Sequence, residues 1–219
     1  MEARTYAVVM GDLVASEAAT SRRALHRVFN AAIDDVNAAQ RATLVSPLTI
    51  TLGDEFQGLA DTLADAIRIA RRVRFALMAQ DVACRVLVGE VAIDTPVNPE
   101  RAWNMMGDGL SRARAMLDRK RDTSLYLFAL NRRPKDELNL LAMGAGLTAI
   151  ERRWTARQRE DIVATLDGSS VEDIAARRGV STHSVYKVRT AGQSDAYQLL
   201  WEAIHNTLSS IDFGWEDRP

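Results

Sequence analysis

Apolar residues recur along this chain with two different periods, and the switches between them mark out its elements. Tyr6-Ala7-Val8-Val9-Met10 is an unbroken apolar run closed by Gly11-Asp12, which predicts a buried central strand. The period becomes helical over 21–39. Leu25, Val28, Phe29, Ala32, Ile33 and Val36 share one face there, and Arg22, Arg23, Arg27, Asp34 and Asp35 lie elsewhere. Leu48, Ile50 and Leu52 then alternate with Thr49 and Thr51, the signature of a half-buried strand. Gly53-Asp54 supplies hairpin-turn residues, and Phe56 and Leu59 belong to the returning strand. Leu63, Ile67, Ala70, Val73 and Leu77 predict a second amphipathic helix over 63–79. A further strand is expected over 82–91, followed by a breaker-rich loop at 94–99. The glycines of Gly107-Asp108-Gly109 open a helix that carries Arg112 and Arg114, and 124–130 reads as a closing strand.

The order strand, helix, hairpin, helix, strand, helix, strand predicts an α+β fold with a mostly antiparallel sheet, ferredoxin-like with one extra unit. In that layout the first strand lies beside the hairpin, so Asp12 and Asp54 meet at one end of the sheet. Two carboxylates from neighbouring strands suit a hard divalent ion such as Mg²⁺ on a nucleoside triphosphate. The plainer alternatives are an ordinary charged turn at Asp54 and Glu55, and a helix cap at Asp12 or Ser16.

Beyond Arg132-Arg133-Pro134 the character changes. An apolar stretch at 138–150, interrupted by Gly144 and Gly146, predicts a helix ending in a flexible joint. Thr155 caps a helix to about 166, Ser170 caps one over 171–178, Gly179-Val180-Ser181 turns the chain, and 182–191 is helical again. Ala175, Gly179, Val180 and Val185 stand where a helix-turn-helix needs a small packing residue, a turn glycine and two apolar core residues. Its second helix presents Thr182, His183, Ser184, Lys187 and Arg189 as DNA-contacting candidates. Between Ile174 and Gly192 the charged side chains are all basic (Arg177, Arg178, Lys187, Arg189), a local patch suited to phosphate. Tyr197, Leu200, Trp201, Ile204 and Leu208 make a last amphipathic helix, placed to cover the trihelical core or to form a dimer contact. The expected divisions are an α+β domain at 1–131, a linker helix at 132–152 and an all-α helix-turn-helix domain at 153–219.

Composition narrows the partners. The 219 residues carry a formal net charge of −1, so no global basic field draws nucleic acid, and DNA must be met by the local patch. The one cysteine, Cys84, excludes a disulfide within the chain and a cysteine-rich metal site. No signal-peptide pattern and no bilayer-length apolar segment is present, which sets the expectation of a cytoplasmic protein without a membrane partner.

Gly11-Asp12-Leu13-Val14-Ala15-Ser16, Thr51-Leu52-Gly53-Asp54-Glu55-Phe56-Gln57-Gly58 and Asp108-Gly109 leading into Ala113-Arg114, followed by the C-terminal helices, closely resemble the SatD family of bacterial proteins. The resemblance covers nearly the whole chain, with the Gly-Asp-Glu-Phe-Gln motif its most specific part. More remotely, the same residues resemble the catalytic domain of class III nucleotide cyclases. There an Asp-x-x-Gly motif after the first strand and a Gly-Asp hairpin supply two metal-binding aspartates, which Asp12 and Asp54 match. That resemblance implies Mg²⁺ or Mn²⁺, a nucleoside triphosphate, catalytic roles for Asp12 and Asp54 if the site turns over, and ligand contacts from Gly53, Glu55, Asn104, Arg112 and Arg114. A cyclase lysine that helps choose the purine falls near Ile50, whereas Asn104 keeps a side chain able to bond a base. The transition-state asparagine and arginine fall near Ser111 and Ala115. Metal and triphosphate binding is therefore implied more firmly than cyclisation. The expectation is a dimeric DNA-binding regulator whose metal–nucleotide domain reports to the helix-turn-helix. The alternatives are a nucleotide cyclase or related two-metal phosphoryl-transfer enzyme, and a degenerate cyclase fold used only for dimerisation.

Overall fold

In a computed structural model, which describes residues 4–16, 20–119 and 123–216, the chain builds a mixed six-stranded sheet flanked by helices. β1 (Arg4–Leu13) leads through α1 (Arg22–Ala39) into the hairpin of β2 (Leu44–Ile50) and β3 (Glu55–Ala60). α2 (Leu63–Met78) returns the chain to β4 (Cys84–Ile93). A long loop reaches the short β5 (Gly107–Asp108), which opens α3 (Leu110–Leu117), and β6 (Tyr126–Ala129) follows. The strand order is β2-β3-β1-β4-β5, with β6 also on β4. β1 is antiparallel to both β3 and β4, as the ferredoxin-like order requires, and β6 joins β4 in parallel. β1 extends past the predicted apolar run, because Gly11 to Leu13 continue the ladder to β4.

Alternation along β1 sorts the two faces. Ala7, Val9 and Leu13 pack with Phe29 and Ile33 of α1 and Ile67 and Val73 of α2. Val8 and Met10 face the other way, with Leu59, Leu87, and Ala113 and Leu117 of α3. Both amphipathic helices are capped by hydroxyls, Ser21 and Thr62, so the cap of α1 is neither Asp12 nor Ser16.

Five helices follow: α4 (Pro134–Glu151), α5 (Ala156–Leu166), α6 (Val171–Arg178), α7 (Thr182–Ala191) and α8 (Ser194–Glu216). The expected joint at Gly144 and Gly146 is instead one unbroken helix, α4. Gly144 serves close approach: a Cβ there would lie 2.9 Å from Tyr126 Cβ and 3.0 Å from the Tyr126 carbonyl oxygen. α8 does not confine itself to the small helical unit. Tyr197, Trp201, Ile204, Leu208 and Ile211 share the core of α1 and α2. Near its end, Asp212 accepts hydrogen bonds from the first backbone N–H groups of α2, Leu63 at 2.8 Å and Ala64 at 3.0 Å, a cap supplied from across the sequence.

A buried polar network ties these helices to the sheet. Arg74 of α2 donates to the Cys84 carbonyl and to Glu151, the last residue of α4. Tyr126 of β6 and Tyr197 of α8 both donate to Glu151 Oε1, the latter at 2.8 Å. Trp154 packs at a tilt against Tyr197, ring centroids 4.9 Å apart, and donates to the Gly192 carbonyl at 2.7 Å, at the C-cap of α7.

Candidate functional site

Asp12 sits near the end of β1, directly opposite Glu55 on β3 and Arg85 on β4. Residues directly opposite in antiparallel strands share a face, so Glu55, Asp12 and Arg85 form a row across three strands on the α3 side. Two like charges side by side are unfavourable, and the arginine offsets one of them. Arg85 Nε donates to Asp12 Oδ1 at 3.0 Å and Nη2 to Oδ2 at 2.6 Å. The pair is well covered, with side chains 7% and 15% exposed respectively.

The hairpin turn brings in Asp54. Gly53 adopts φ +80°, a left-handed conformation that glycine takes without a Cβ penalty. The following residue returns to β3, and the Leu13 N–H bonds to the Asp54 carbonyl at 2.9 Å. Ser16 donates to Asp54 Oδ2 at 2.6 Å. Asp12, Asp54 and Glu55 thus line one cleft of about 620 Å³, together with Asp118 and Arg152. Burial first, then the Asp118 charge and those of Asp54 and Asp12, push the Glu55 carboxyl above its ordinary value against the pull of Arg114.

A second cleft of about 390 Å³ opens on the same face, two residues back along each strand. Its floor is Val8, Met10, Gln57 and Leu59, and its wall is Leu110, Ser111 and Arg114 of α3. The roof is the loop before β5, which carries Trp103, Asn104 and Met105. Three polar side chains of the hairpin pin that loop down. Ser46 donates to the Asn98 carbonyl at 2.6 Å, Thr49 accepts from the Ala102 N–H at 2.9 Å, and Gln57 donates to the Ala102 carbonyl. Trp103 remains 49% exposed, an aromatic plane left open at the rim. Arg114 stands between the clefts and donates to Gln57 Oε1 at 3.0 Å.

The structure therefore gathers Asp12, Gly53, Asp54, Glu55, Asn104 and Arg114 along one face. Arg112 is not among them. Its guanidinium forks onto Glu137 at 2.6 and 2.7 Å and donates to the Leu130 carbonyl at 3.2 Å, latching α3 to α4. Arg85, Trp103, Asp118 and Arg152 were not singled out from the sequence. An arginine inside the apolar run of β4 was the available signal, since a buried guanidinium needs a carboxylate partner.

For a divalent ion the donor set fits in part. Among the described residues, no group of three or more His, Cys, Asp or Glu side chains stands ready to hold a metal. Asp54 is a hard oxygen donor in an open cleft, while both oxygens of Asp12 already accept from Arg85.

The helical end presents a separate surface. Ser181 caps α7, whose outward positions Thr182, His183, Tyr186 and Lys187 are exposed, with Ser184 and Arg189 half-buried. Arg178 is turned away from that patch onto the buried Asp161. No described helix is long and apolar enough to cross a membrane.

The chain is similar in structure to a bacterial light-regulated adenylyl cyclase, at a TM-score of 0.43 and 11% identity over 58% of this chain and 77% of that one. It is also similar to the guanylyl cyclase domain of the RhoGC fusion protein from the aquatic fungus Blastocladiella emersonii, at 0.40 and 16% identity, covering 53% of this chain and 74% of that one. A third similar structure is a guanylate cyclase domain from Catenaria anguillulae in complex with GTP, at 0.37 and 17% identity over 53% and 73% of the two chains. Comparison with curated proteins finds no match. Residues 6–184 match the sequence model of the SatD family, and the chain belongs to that family.

Proposed function

We propose that the chain binds the Mg²⁺ or Mn²⁺ complex of a nucleoside triphosphate along the α3 face of its sheet. The observation that carries this reading is the succession of chemistries on that one face. An aromatic and an amide, Trp103 and Asn104, rim one cleft, Arg114 stands in the middle, and the carboxylates Asp12, Asp54 and Glu55 line the other. A base stacks on an aromatic and hydrogen-bonds an amide, phosphates take a guanidinium, and the ion on the phosphates takes carboxylate oxygens. Asp54 would hold the ion, with Glu55 and Asp12 beside it, and the ion would screen the phosphate charge from the carboxylates. Titration calorimetry with ATP, GTP, CTP and UTP in Mg²⁺ or Mn²⁺ tests this. One of them should bind in a metal-dependent way, with Asp54→Ala abolishing the heat and Arg114→Ala weakening it about tenfold or more. Equal binding by Asp54→Ala would refute the reading.

A second reading has its own observation. The exposed row Thr182, His183, Tyr186 and Lys187 on the capped α7 has the form of a DNA-reading helix, with Ser184 and Arg189 at its flanks. Lys187 and Arg189 would contact phosphate. Lys187→Ala should then weaken binding to all duplexes alike and reduce the salt slope by about one. Fluorescence anisotropy with duplex DNA across a salt series checks it, and an unchanged affinity and slope would remove it.

A further inference from the structure

Arg85 is placed unusually for a residue beside a cation site. It lies at the start of β4 beside the apolar run Val86–Val88, it is 6% exposed, and its guanidinium donates to Asp12 and to two backbone carbonyls. Two of its N–H groups fork onto Asp12, at 3.0 and 2.6 Å. Others donate to the Leu117 carbonyl at 2.7 Å and the Arg119 carbonyl at 3.2 Å. Those carbonyls lie at the C-terminal end of α3, the negative end of the helix dipole, which itself favours a cation. The arginine is thus held from two sides, and moving it away from Asp12 would strand a buried charge.

We propose that Arg85 is the standing cation of Asp12 and withholds that carboxylate from metal ions, so that the cleft takes one divalent ion rather than two. The inference rests on the metal–nucleotide reading and refines it. A two-ion site needs both aspartates to bridge a pair of ions about 3.5–4 Å apart. Here one of the two already has its charge balanced and both oxygens engaged. An ion coordinating Asp12 would also stand next to a fixed guanidinium, and like charges at such separations repel strongly where water is excluded. Among the described residues Asp54 and Glu55 carry no such fork, and Asp54 accepts from the Ser16 hydroxyl. Arg85 is therefore a positioning residue that sets the number of ions.

The test counts Mn²⁺ on the full-length chain, using the electron paramagnetic resonance signal of free Mn²⁺ in a titration without nucleotide. Wild type should bind one ion. Asp54→Asn should lower the affinity about tenfold or more, and the paired Asp12→Asn/Arg85→Gln, which removes the carboxylate and the guanidinium together and strands no charge, should change it by less than about threefold. Arg85→Gln should admit a second ion or tighten the first by about tenfold. Arg85→Lys, which keeps a charge but cannot span both oxygens, should fall between wild type and Arg85→Gln, and serves if Arg85→Gln does not fold. Circular dichroism of each variant reports its folding. Two ions on wild type, a loss in Asp12→Asn/Arg85→Gln as large as that of Asp54→Asn, or Arg85 variants indistinguishable from wild type would overturn the proposal while leaving metal binding intact. No Mn²⁺ on any variant would instead overturn the metal–nucleotide reading, and the proposal with it.

Discussion

Glu151→Gln is the change that should cost this fold most for the fewest atoms altered. Glu151 is 5% exposed and takes hydrogen bonds from Arg74, Tyr126 and Tyr197, on α2, β6 and α8. Burial alone would lower the Arg74 pKa, but the Glu151 charge and then the Tyr126 side chain reverse that, and the guanidinium is held firmly charged. Replacing the carboxylate by an amide of the same shape leaves that cation buried without a counter-charge. Breaking one side of a buried pair costs about 3–5 kcal/mol. For a protein of this size each kcal/mol moves the midpoint by about 2–4 °C, so the midpoint should fall by about 6–20 °C. Removing both charges is a different perturbation. In Arg74→Met/Glu151→Leu no charge is stranded, and the Tyr126 and Tyr197 hydroxyls, 3.2 Å apart, still have each other. The double variant should therefore be more stable than the sum of the singles predicts, by about 2 kcal/mol or more. Urea unfolding followed by circular dichroism measures all of these. Single losses under about 1 kcal/mol, or strict additivity, would refute the argument that one charged network fastens α4 and α8 to the sheet.

Three other outcomes follow from particular contacts. Gly144→Ala would favour an isolated helix, yet its Cβ meets Tyr126 at 2.9 Å, so the folded protein should lose about 1–3 kcal/mol as α4 is pushed off β6. Asp212→Ala removes the acceptor for the Leu63 and Ala64 N–H groups and should cost about 0.5–2 kcal/mol by the same unfolding assay. Glu55 binds its proton more tightly folded than unfolded, through burial and then Asp118, so its contribution to stability falls as pH rises from the ordinary carboxyl value through the raised one. Glu55→Gln should therefore raise the thermal midpoint at about pH 7, with the gain vanishing below about pH 4.5, where the wild-type group is protonated in both states.

Much of this molecule could be read from local pattern. The 3.6-residue stripes of α1 and α2 placed those helices to within a residue, and the expected Thr155 and Ser170 caps are present. By contrast, β2 runs over Leu44–Ile50 and stops short of the alternation's end at Leu52, and the caps Ser21, Thr62 and Ser181 were not read from the sequence. The ferredoxin-like order alone was enough to bring Asp12 and Asp54 to one cleft, because strand order follows from element order. What sequence could not give were pairings across long separations. The partners of Arg85, Arg74 and Arg112 lie on other elements, and nothing local distinguishes the arginine that faces a ligand from the one that latches a helix. The breaker-rich loop after β4 looked like a connection, whereas Ser46, Thr49 and Gln57 fold it down as a roof. Glycines inside α4 suggested looseness when their use was close packing on Tyr126 and Leu200.

Thermal unfolding with each nucleoside triphosphate, with and without Mn²⁺, tests whether this carboxylate cleft holds a metal–nucleotide complex. A ligand that binds only the folded chain stabilises it by about 2.7 kcal/mol at a hundred times its dissociation constant, a rise of about 5–11 °C here. The midpoint should rise in this way with at least one nucleotide, only when the ion is present, and the rise should be lost in Asp54→Ala. A midpoint that no nucleotide moves, or a rise that Asp54→Ala retains, would contradict the metal–nucleotide reading.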